Sequence, residues 1–237
     1  KINHSLLTRL NSKKMIATVE INLTNIKKNW LYLNKLSSKE TQTGAVVKAN
    51  AYGLGVSKIA QALWEVGAKS FFVATMEEAI ELSTYLPKGK KIYVLNGYHE
   101  RYKLALDEFS IIPVLNSPAQ LISFLNFNPK NKACLQIDVG MRRLGFQNEE
   151  LDKYKHLISS LNLDLIMGHL SCADNKIDTA NILALRYFKE KTNNLPKVPK
   201  SLSASHGIFL GKLYNFDITR PGIALYGGIR EEGLLEA

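Results

Sequence analysis

Ala45-Val-Val-Lys48-Ala-Asn-Ala-Tyr52-Gly-Leu-Gly55 is the stretch from which the fold of this chain is read. Its apolar run, Ala45 to Val47, is too short for a helix. It is bounded by Gly44 on one side and by the Tyr52-Gly-Leu-Gly55 turn on the other, so it reads as a buried strand. Lys48 closes that strand. A lysine so placed is costly unless its ammonium reaches water, finds a partner or gives up its charge. A lysine that attacks a carbonyl needs its uncharged form, which burial favours. A lysine that merely snorkels at a strand end leaves the same sequence, and this stretch alone does not choose between the two.

The surrounding chain repeats the pattern. Upstream, Thr24 is predicted to cap a helix over 24–36, with Ile26, Trp30 and Leu33 at helical spacing. Ala17 to Ile21 alternates like a short strand, and residues 1–14 read as an N-terminal extension. Downstream, helices over 57–66, 76–86, 99–108, 118–126, 149–160, 179–193 and 207–213 are predicted. The strands that follow them span 70–74, 92–95, 111–115, 133–138, 163–167, 202–204 and 216–219. Helix-then-strand alternation implies the α/β class with a parallel sheet. Eight such units closing on themselves make a (β/α)8 barrel of the TIM type, with helix 24–36 sealing the ring beside the last strand. An open doubly wound sheet of similar length is the alternative. The barrel domain is expected over 15–230, with 231–237 as a short end after it.

Composition narrows the function. The 237 residues are 46% hydrophobic and 22% charged, an ordinary globular balance. The net charge of +10 comes from 31 basic and 21 acidic residues spread along the whole chain. No basic run interleaves with aromatics, so no nucleic-acid partner is expected. Cys134 and Cys172 lie far apart without metal-ligand spacing, which fits a reducing cytoplasm. Residues 1–14 lack an apolar signal region, and no apolar run approaches the ~20 residues of a membrane span. A protein of the cytoplasm, with no membrane partner, is therefore expected.

In barrels of this type the chemistry sits at the carboxyl ends of the strands. There the sequence offers Lys48, then Gly140-Met-Arg-Arg143-Leu-Gly145, Gly168-His169-Leu-Ser171, Ser205-His-Gly207 and Arg220-Pro-Gly222-Ile223. Glycines let backbone amides approach a phosphate, and Ser and Tyr hydroxyls can donate to it. A phosphate-bearing cofactor with a reactive carbonyl fits this set better than a metal does. His169 has no second His or carboxylate at ligand spacing, and no HExxH pattern occurs.

Four segments carry a family resemblance. The Ala45–Gly55 stretch, Asp138-Val-Gly-Met-Arg-Arg143-Leu-Gly145, Ser203-Ala-Ser205-His-Gly-Ile-Phe-Leu-Gly211 and Arg220-Pro-Gly-Ile-Ala-Leu-Tyr-Gly227 resemble, in order and spacing, the motifs of alanine racemases. The resemblance covers roughly residues 16–230. It implies the pyridoxal-phosphate-binding barrel of that family and an isomerase interconverting L- and D-alanine, which supplies D-alanine for peptidoglycan. By the same resemblance Lys48 carries pyridoxal 5'-phosphate as a Schiff base and acts as the base on one face of Cα. Tyr52 and Ser205, with the amides of Gly222 and Ile223, hold the phosphate. Arg220 contacts the pyridine nitrogen, Arg143 lies near the phenolic oxygen, and His169 packs beside the ring and steers Arg220. Lys48, Arg143 and His169 are the expected catalytic set. An arginine is permanently protonated and does not hand the ring nitrogen a proton, so the ring is a weaker electron sink and return of the proton to Cα is favoured. Without the motif, Arg220 reads equally well as a structural ion-pair residue.

Three positions depart from the family: Leu54 where His is frequent, Ala204 for Asn, and Gln136 for a modified lysine near Arg143. Family members are homodimers whose C-terminal β domain supplies a tyrosine to the opposite face of Cα. The chain ends at Ala237, so a partial form with impaired racemisation is expected, since loss of an acid–base group costs roughly 10²–10⁴-fold. The competing readings are a single-barrel cofactor-binding protein of pyridoxal-phosphate homeostasis, a decarboxylase of the same fold, and a barrel that docks on another chain.

Overall fold

Gly44 separates two short strands, β1 (Gln42–Thr43) and β2 (Ala45–Val46), and the sheet is built outward from both. In this computed structural model, which describes residues 19–237, β2 begins a run of seven parallel strands. The others are β3 (Ser70–Val73), β4 (Lys91–Val94), β5 (Ile111–Leu115), β6 (Lys132–Gln136), β7 (Asn162–Met167) and β8 (Lys200–Ser201), paired in chain order. The last strand, β9 (Ile218–Thr219), pairs with β1. Backbone bonds extend both edges. Gly44 N donates to Thr219 O and Val46 N to Pro221 O, each at 2.8 Å. On its other side β9 meets β8 through Asp217 N to Lys200 O at 3.0 Å and Arg220 N to Ser203 O at 2.9 Å. Read as one strand, 42–46 thus has a neighbour on each side, and the sheet closes into an eight-stranded barrel, as the alternation predicts.

Helices clothe the barrel: α1 (Leu23–Leu36), α3 (Val56–Glu65), α4 (Met76–Tyr85), α5 (Lys103–Phe109), α6 (Pro118–Phe127), α7 (Asn148–Lys153), α8 (Lys155–Ser160), α9 (Thr179–Asn193) and α10 (Ser205–Ile208), while α2 (Lys48–Tyr52) is a single left-handed turn. Their starts follow side-chain chemistry. Thr75 and Glu78 form a reciprocal capping box on α4, and Ser117 caps α6 with Pro118 in its first turn. Helix α1 is capped by Asn22, whose Oδ1 accepts from Asn25 N at 3.0 Å, so Thr24 lies inside the helix. Asn is at least as good a cap as Thr, and its side chain already satisfies the first-turn amide. Residues 19–22 are outside any strand, and the rest of the strand predicted over 17–21 lies outside the described residues. Helix 149–160 is broken at Tyr154, helix 99–108 begins as a 3-10 turn over Glu100–Tyr102, and helix 207–213 resolves into α10 and a 3-10 turn over Lys212–Tyr214.

Two apolar layers result. Inside the barrel lie Val46, Phe72, Tyr93, Ile112, Val114, Cys134, Leu165, Met167 and Ile218. The Phe72 and Tyr93 rings stack 4.7 Å apart. The larger layer fills the space between strands and helices, and most strand residues are buried, as parallel strands covered by helices require. At the amino ends of the strands the barrel is plugged by Asp164. It accepts from Tyr93 Oη at 2.6 Å, Lys91 Nζ at 2.9 Å and Lys132 Nζ at 2.9 Å. Helix α1 covers the seam: Trp30 Nε1 donates to Gly44 O at 3.2 Å, and Asn29 Nδ2 to Leu225 O at 3.0 Å and Leu235 O at 2.7 Å. Among the described residues no helix is long and apolar enough to cross a membrane.

Candidate active site

The carboxyl ends of the strands surround a cavity of about 680 Å³. Lys48, Tyr52, Arg143, His169, Ser205, Arg220, Gly222 and Ile223, brought forward from the sequence, all line it. Three of its charged lining residues are cationic (Lys48, Arg143, Arg220) and one, Asp174, is anionic. Such a wall favours an anionic occupant.

Lys48 stands one residue past the last ladder bond of its strand, Val47 N to Phe72 O at 2.9 Å. The chain then makes a left-handed turn: Ala49, Asn50, Ala51 and Tyr52 have φ of 52°, 52°, 53° and 57°. Each such residue costs about 1–2 kcal/mol, and the conformation persists only where its surroundings enforce it. Here Glu78, the capping-box residue of α4, accepts from Ala49 N at 2.8 Å, and Asn50 Oδ1 accepts from Val56 N at 2.7 Å. Gly53 N and Gly55 N bond back to Ala49 O and Asn50 O. The turn carries Tyr52 across to the wall formed by Gly222.

That wall is tightly built. A Cβ on Gly222 would stand 2.4 Å from Tyr52 Oη and 3.2 Å from Val46 Cβ, so only glycine lets the hydroxyl approach. The Tyr52 ring lies 5.0 Å from that of Tyr226, whose hydroxyl donates to Val46 O at 3.1 Å. Burial pushes the Tyr52 phenol above its ordinary value, so it is a donor at neutral pH. Ser205 Oγ accepts from Gly222 N at 2.9 Å and Ala224 N at 3.1 Å. The Gly222 amide is therefore engaged within the wall, and the Ser205 hydroxyl has no acceptor among the described residues. Ile223 N has no acceptor among the described residues.

The opposite wall carries Arg220, 2% exposed. Its Nη1 donates to Ser201 Oγ at 2.5 Å and its Nη2 to Gly168 O at 2.7 Å. Ser201 Oγ in turn donates to Ile218 O, which locks the guanidinium to the seam. No carboxylate pairs with Arg220 among the described residues, and burial pushes it down to about 10, still charged at neutral pH. His169 Nδ1 lies 3.5 Å from Nη2. Burial, and then the cations Arg220, Arg143 and Lys48, bring the imidazole down to about 3, so it is neutral and accepts at Nδ1.

Arg143 rides on a stitched loop and is exposed. Asp138 Oδ1 accepts from Gly140 N at 2.9 Å and Arg142 N at 3.0 Å, and its Oδ2 from Gln147 Nε2 at 2.7 Å. Phe146 N returns to Gln136 O at 2.8 Å. Gln136 Nε2 donates to Leu144 O at 3.2 Å, fixing the backbone next to Arg143 and not its guanidinium. Gly145, at φ 111°, sits where a Cβ would be 2.6 Å from Asp138 N.

The wall also includes Asn96 and Asp174, which sequence reasoning did not name, and Ser171 and His206, which stood in the strand-end segments without a role. Asn96 follows the end of β4, so the rule that found the others marks it too. Among the described residues no group of three or more His, Cys, Asp or Glu is placed to hold a metal ion.

The family model for the alanine racemase N-terminal domain matches residues 21–230. An alanine racemase of Cereibacter sphaeroides is 42% identical over 212 residues, covering 90% of this chain and 60% of that protein. One from Rickettsia africae is 41% identical over 219 residues, covering 90% and 61%. Among solved structures, alanine racemase from Bartonella henselae with covalently bound pyridoxal phosphate is 36% identical with a TM-score of 0.86, covering 91% of this chain and 66% of that one. The biosynthetic alanine racemase of Pseudomonas aeruginosa is 28% identical with a TM-score of 0.81, covering 92% and 60%. The chain thus spans about 60% of the length of the curated relatives it matches. With the family model over nearly the whole barrel and relatives above 40% identity, this chain belongs to the alanine racemase N-terminal domain family.

Proposed function

We propose that this chain binds pyridoxal 5'-phosphate on Lys48 and serves an alanine racemase that interconverts L- and D-alanine. One observation carries the reading: a primary amine, two hydroxyls, an unengaged amide and a buried guanidinium converge on a single cavity. The fit is specific. The space left by the missing Cβ of Gly222 admits the Tyr52 hydroxyl, and Ser205 Oγ accepts from two amides and keeps its own proton to donate. Tyr52, Ser205 and Ile223 N would hold the phosphate, Lys48 would bond the carbonyl, and Arg220 would face the ring nitrogen. Bound there, the cofactor draws electrons from Cα of an attached amino acid and makes its proton labile.

The chain's own residues do the rest. Lys48 takes and returns the proton at Cα on one face. Arg220, charged at neutral pH and held in place by Ser201 and Gly168, offers the ring nitrogen a hydrogen bond and withholds a proton. His169 accepts from Arg220 at Nδ1 and keeps that guanidinium in place. Arg143 offers donors to an anionic oxygen. Lys48 is the one amine on the wall, the neutral His169 is occupied by Arg220, and His206 lies on the phosphate side beside Ser205. The 237-residue chain by itself is thus expected to exchange the Cα proton faster than it inverts Cα. Supply of D-alanine for peptidoglycan, work in the cytoplasm and assembly as a homodimer belong to the same reading and rest on kinship.

Borohydride reduction of the chain with pyridoxal phosphate, followed by peptide mass mapping, is expected to mark Lys48, and Lys48→Ala to abolish the mark. In D2O with L-alanine, deuterium is expected at Cα with little D-alanine. A mark on Lys48 without any exchange would replace the enzyme reading by that of a cofactor-binding module.

A further inference from the structure

Residues 204–207 and 222–223 form one side of the cavity, and His206 is the single ionisable side chain among them. It directly follows Ser205, is half-buried and lines the cavity. Its ring makes no hydrogen bond to any described residue, although an imidazole always has at least one N–H to donate. A phosphate monoester carries a charge of about −1.5 to −2 and three acceptor oxygens. On this side it would meet only neutral donors: the Tyr52 and Ser205 hydroxyls and the Ile223 amide. Both cationic guanidinium groups hang elsewhere, Arg220 on Ser201 and Gly168, and Arg143 on the 138–146 loop. A polar ring without a partner thus adjoins a wall of phosphate donors that lacks a charge of its own.

We propose that His206 is a further phosphate-binding residue, donating from its imidazole to the phosphate of the bound cofactor beside Ser205 and Tyr52. This rests on the reading of the cavity as a pyridoxal-phosphate site. It adds a ring N–H donor to a set otherwise made of two hydroxyls and one amide. A ring that only faces water at the cavity mouth is the opposing account.

Pyridoxine 5'-phosphate separates the two, because it has the ring and the phosphate but no aldehyde to bond Lys48. Its Kd and that of pyridoxine are measured by quenching of protein fluorescence on the 237-residue chain and on His206→Leu and His206→Gln. His206→Leu is expected to bind the phosphorylated ligand about tenfold more weakly, the scale of one charge-assisted hydrogen bond. His206→Gln keeps an N–H donor and should recover most of that loss. Pyridoxine should bind all three proteins alike. Unchanged binding of pyridoxine 5'-phosphate to His206→Leu overturns the proposal. So does an equal loss for both ligands, which would mark a disturbed wall. If Lys48 is marked by borohydride while His206→Leu has no effect, only this inference fails. If the parent chain neither binds the ligand nor is marked, the reading of the cavity fails with it.

Discussion

At the scale of single residues, the site is governed by how its charges are buried. His169 lies among Arg220, Arg143 and Lys48 and is brought down to about 3 by burial and by those cations. In the unfolded chain it takes a proton near pH 6.5. Between those values the unfolded state binds the extra proton, so stability rises with pH there. The contribution is complete above about pH 6.5 and is lost as the pH falls toward 3. The melting temperature of the parent chain should therefore drop on acidification from pH 6.5 to 4, and His169→Gln should flatten part of that drop. Parallel melting profiles for the two proteins would show that His169 is not the group responsible. Gly222→Ala tests the other wall. The added Cβ meets the end of a side chain, Tyr52 Oη, and not backbone. Little stability should be lost, while pyridoxine 5'-phosphate should bind several-fold more weakly as Tyr52 is pushed aside, by roughly the worth of one hydrogen bond. These residues were legible in the sequence because each follows a strand end, and so were the hydroxyl and glycine types that suit a phosphate. What anchors Arg220 was not legible. Ser201 and the Gly168 carbonyl become neighbours only when β7, β8 and β9 lie side by side.

At the scale of elements, alternation carried most of the information. Buried parallel strands read as unbroken apolar runs, and the helices between them begin at recognisable caps such as Thr75, Ser117 and Asp178. Ends were displaced where tertiary bonds decided them. The strand read over 202–204 pairs with β7 at Lys200–Ser201, two residues earlier, and meets the β9 side through a parallel bridge between Ala204 and Arg220. The break at Tyr154 divides a continuous helical pattern. The left-handed turn after Lys48 left little mark in residue type, since only Asn50 among its residues is a type that takes that conformation readily; Glu78, almost thirty residues away, holds it. The loop over 138–146 is an element in its own right, pinned by Asp138 and by the positive φ of Gly145. Gly145→Ala would set a Cβ 2.6 Å from Asp138 N and 2.8 Å from Ile137 C, in a conformation that L residues avoid. It should destabilise the chain by about 1–3 kcal/mol in urea denaturation. A smaller change, with Arg143 still lining the cavity, would mean that the loop yields without strain.

At the scale of the whole molecule, the two ends of the barrel have separate tasks. The carboxyl end holds the cavity; the amino end holds Asp164 with Tyr93, Lys91 and Lys132. Burial alone would raise the Asp164 carboxyl, but the bonds from Tyr93, Lys91 and Lys132 hold it below its ordinary value. Both lysines reach water, so Asp164→Ala chiefly strands the buried Tyr93 hydroxyl. A loss of about 1–3 kcal/mol is expected, with the Kd for pyridoxine 5'-phosphate unchanged. A change in that Kd would show that the two ends are coupled. The closing strand, β9, is only two residues long, and its partners at the seam are far away in sequence: Thr43 and Thr219 are 176 positions apart. Drawing such distant segments together carries a large loop-closure entropy, which places this pairing late in folding. Lys48 lies just beyond one side of the seam and Arg220 just beyond the other. A chain that has formed every hairpin-free β/α unit except the last therefore has strands, helices and much of its core, but no pocket, and a ligand that bridges the two sides would act as a clasp that draws the final step of folding to completion.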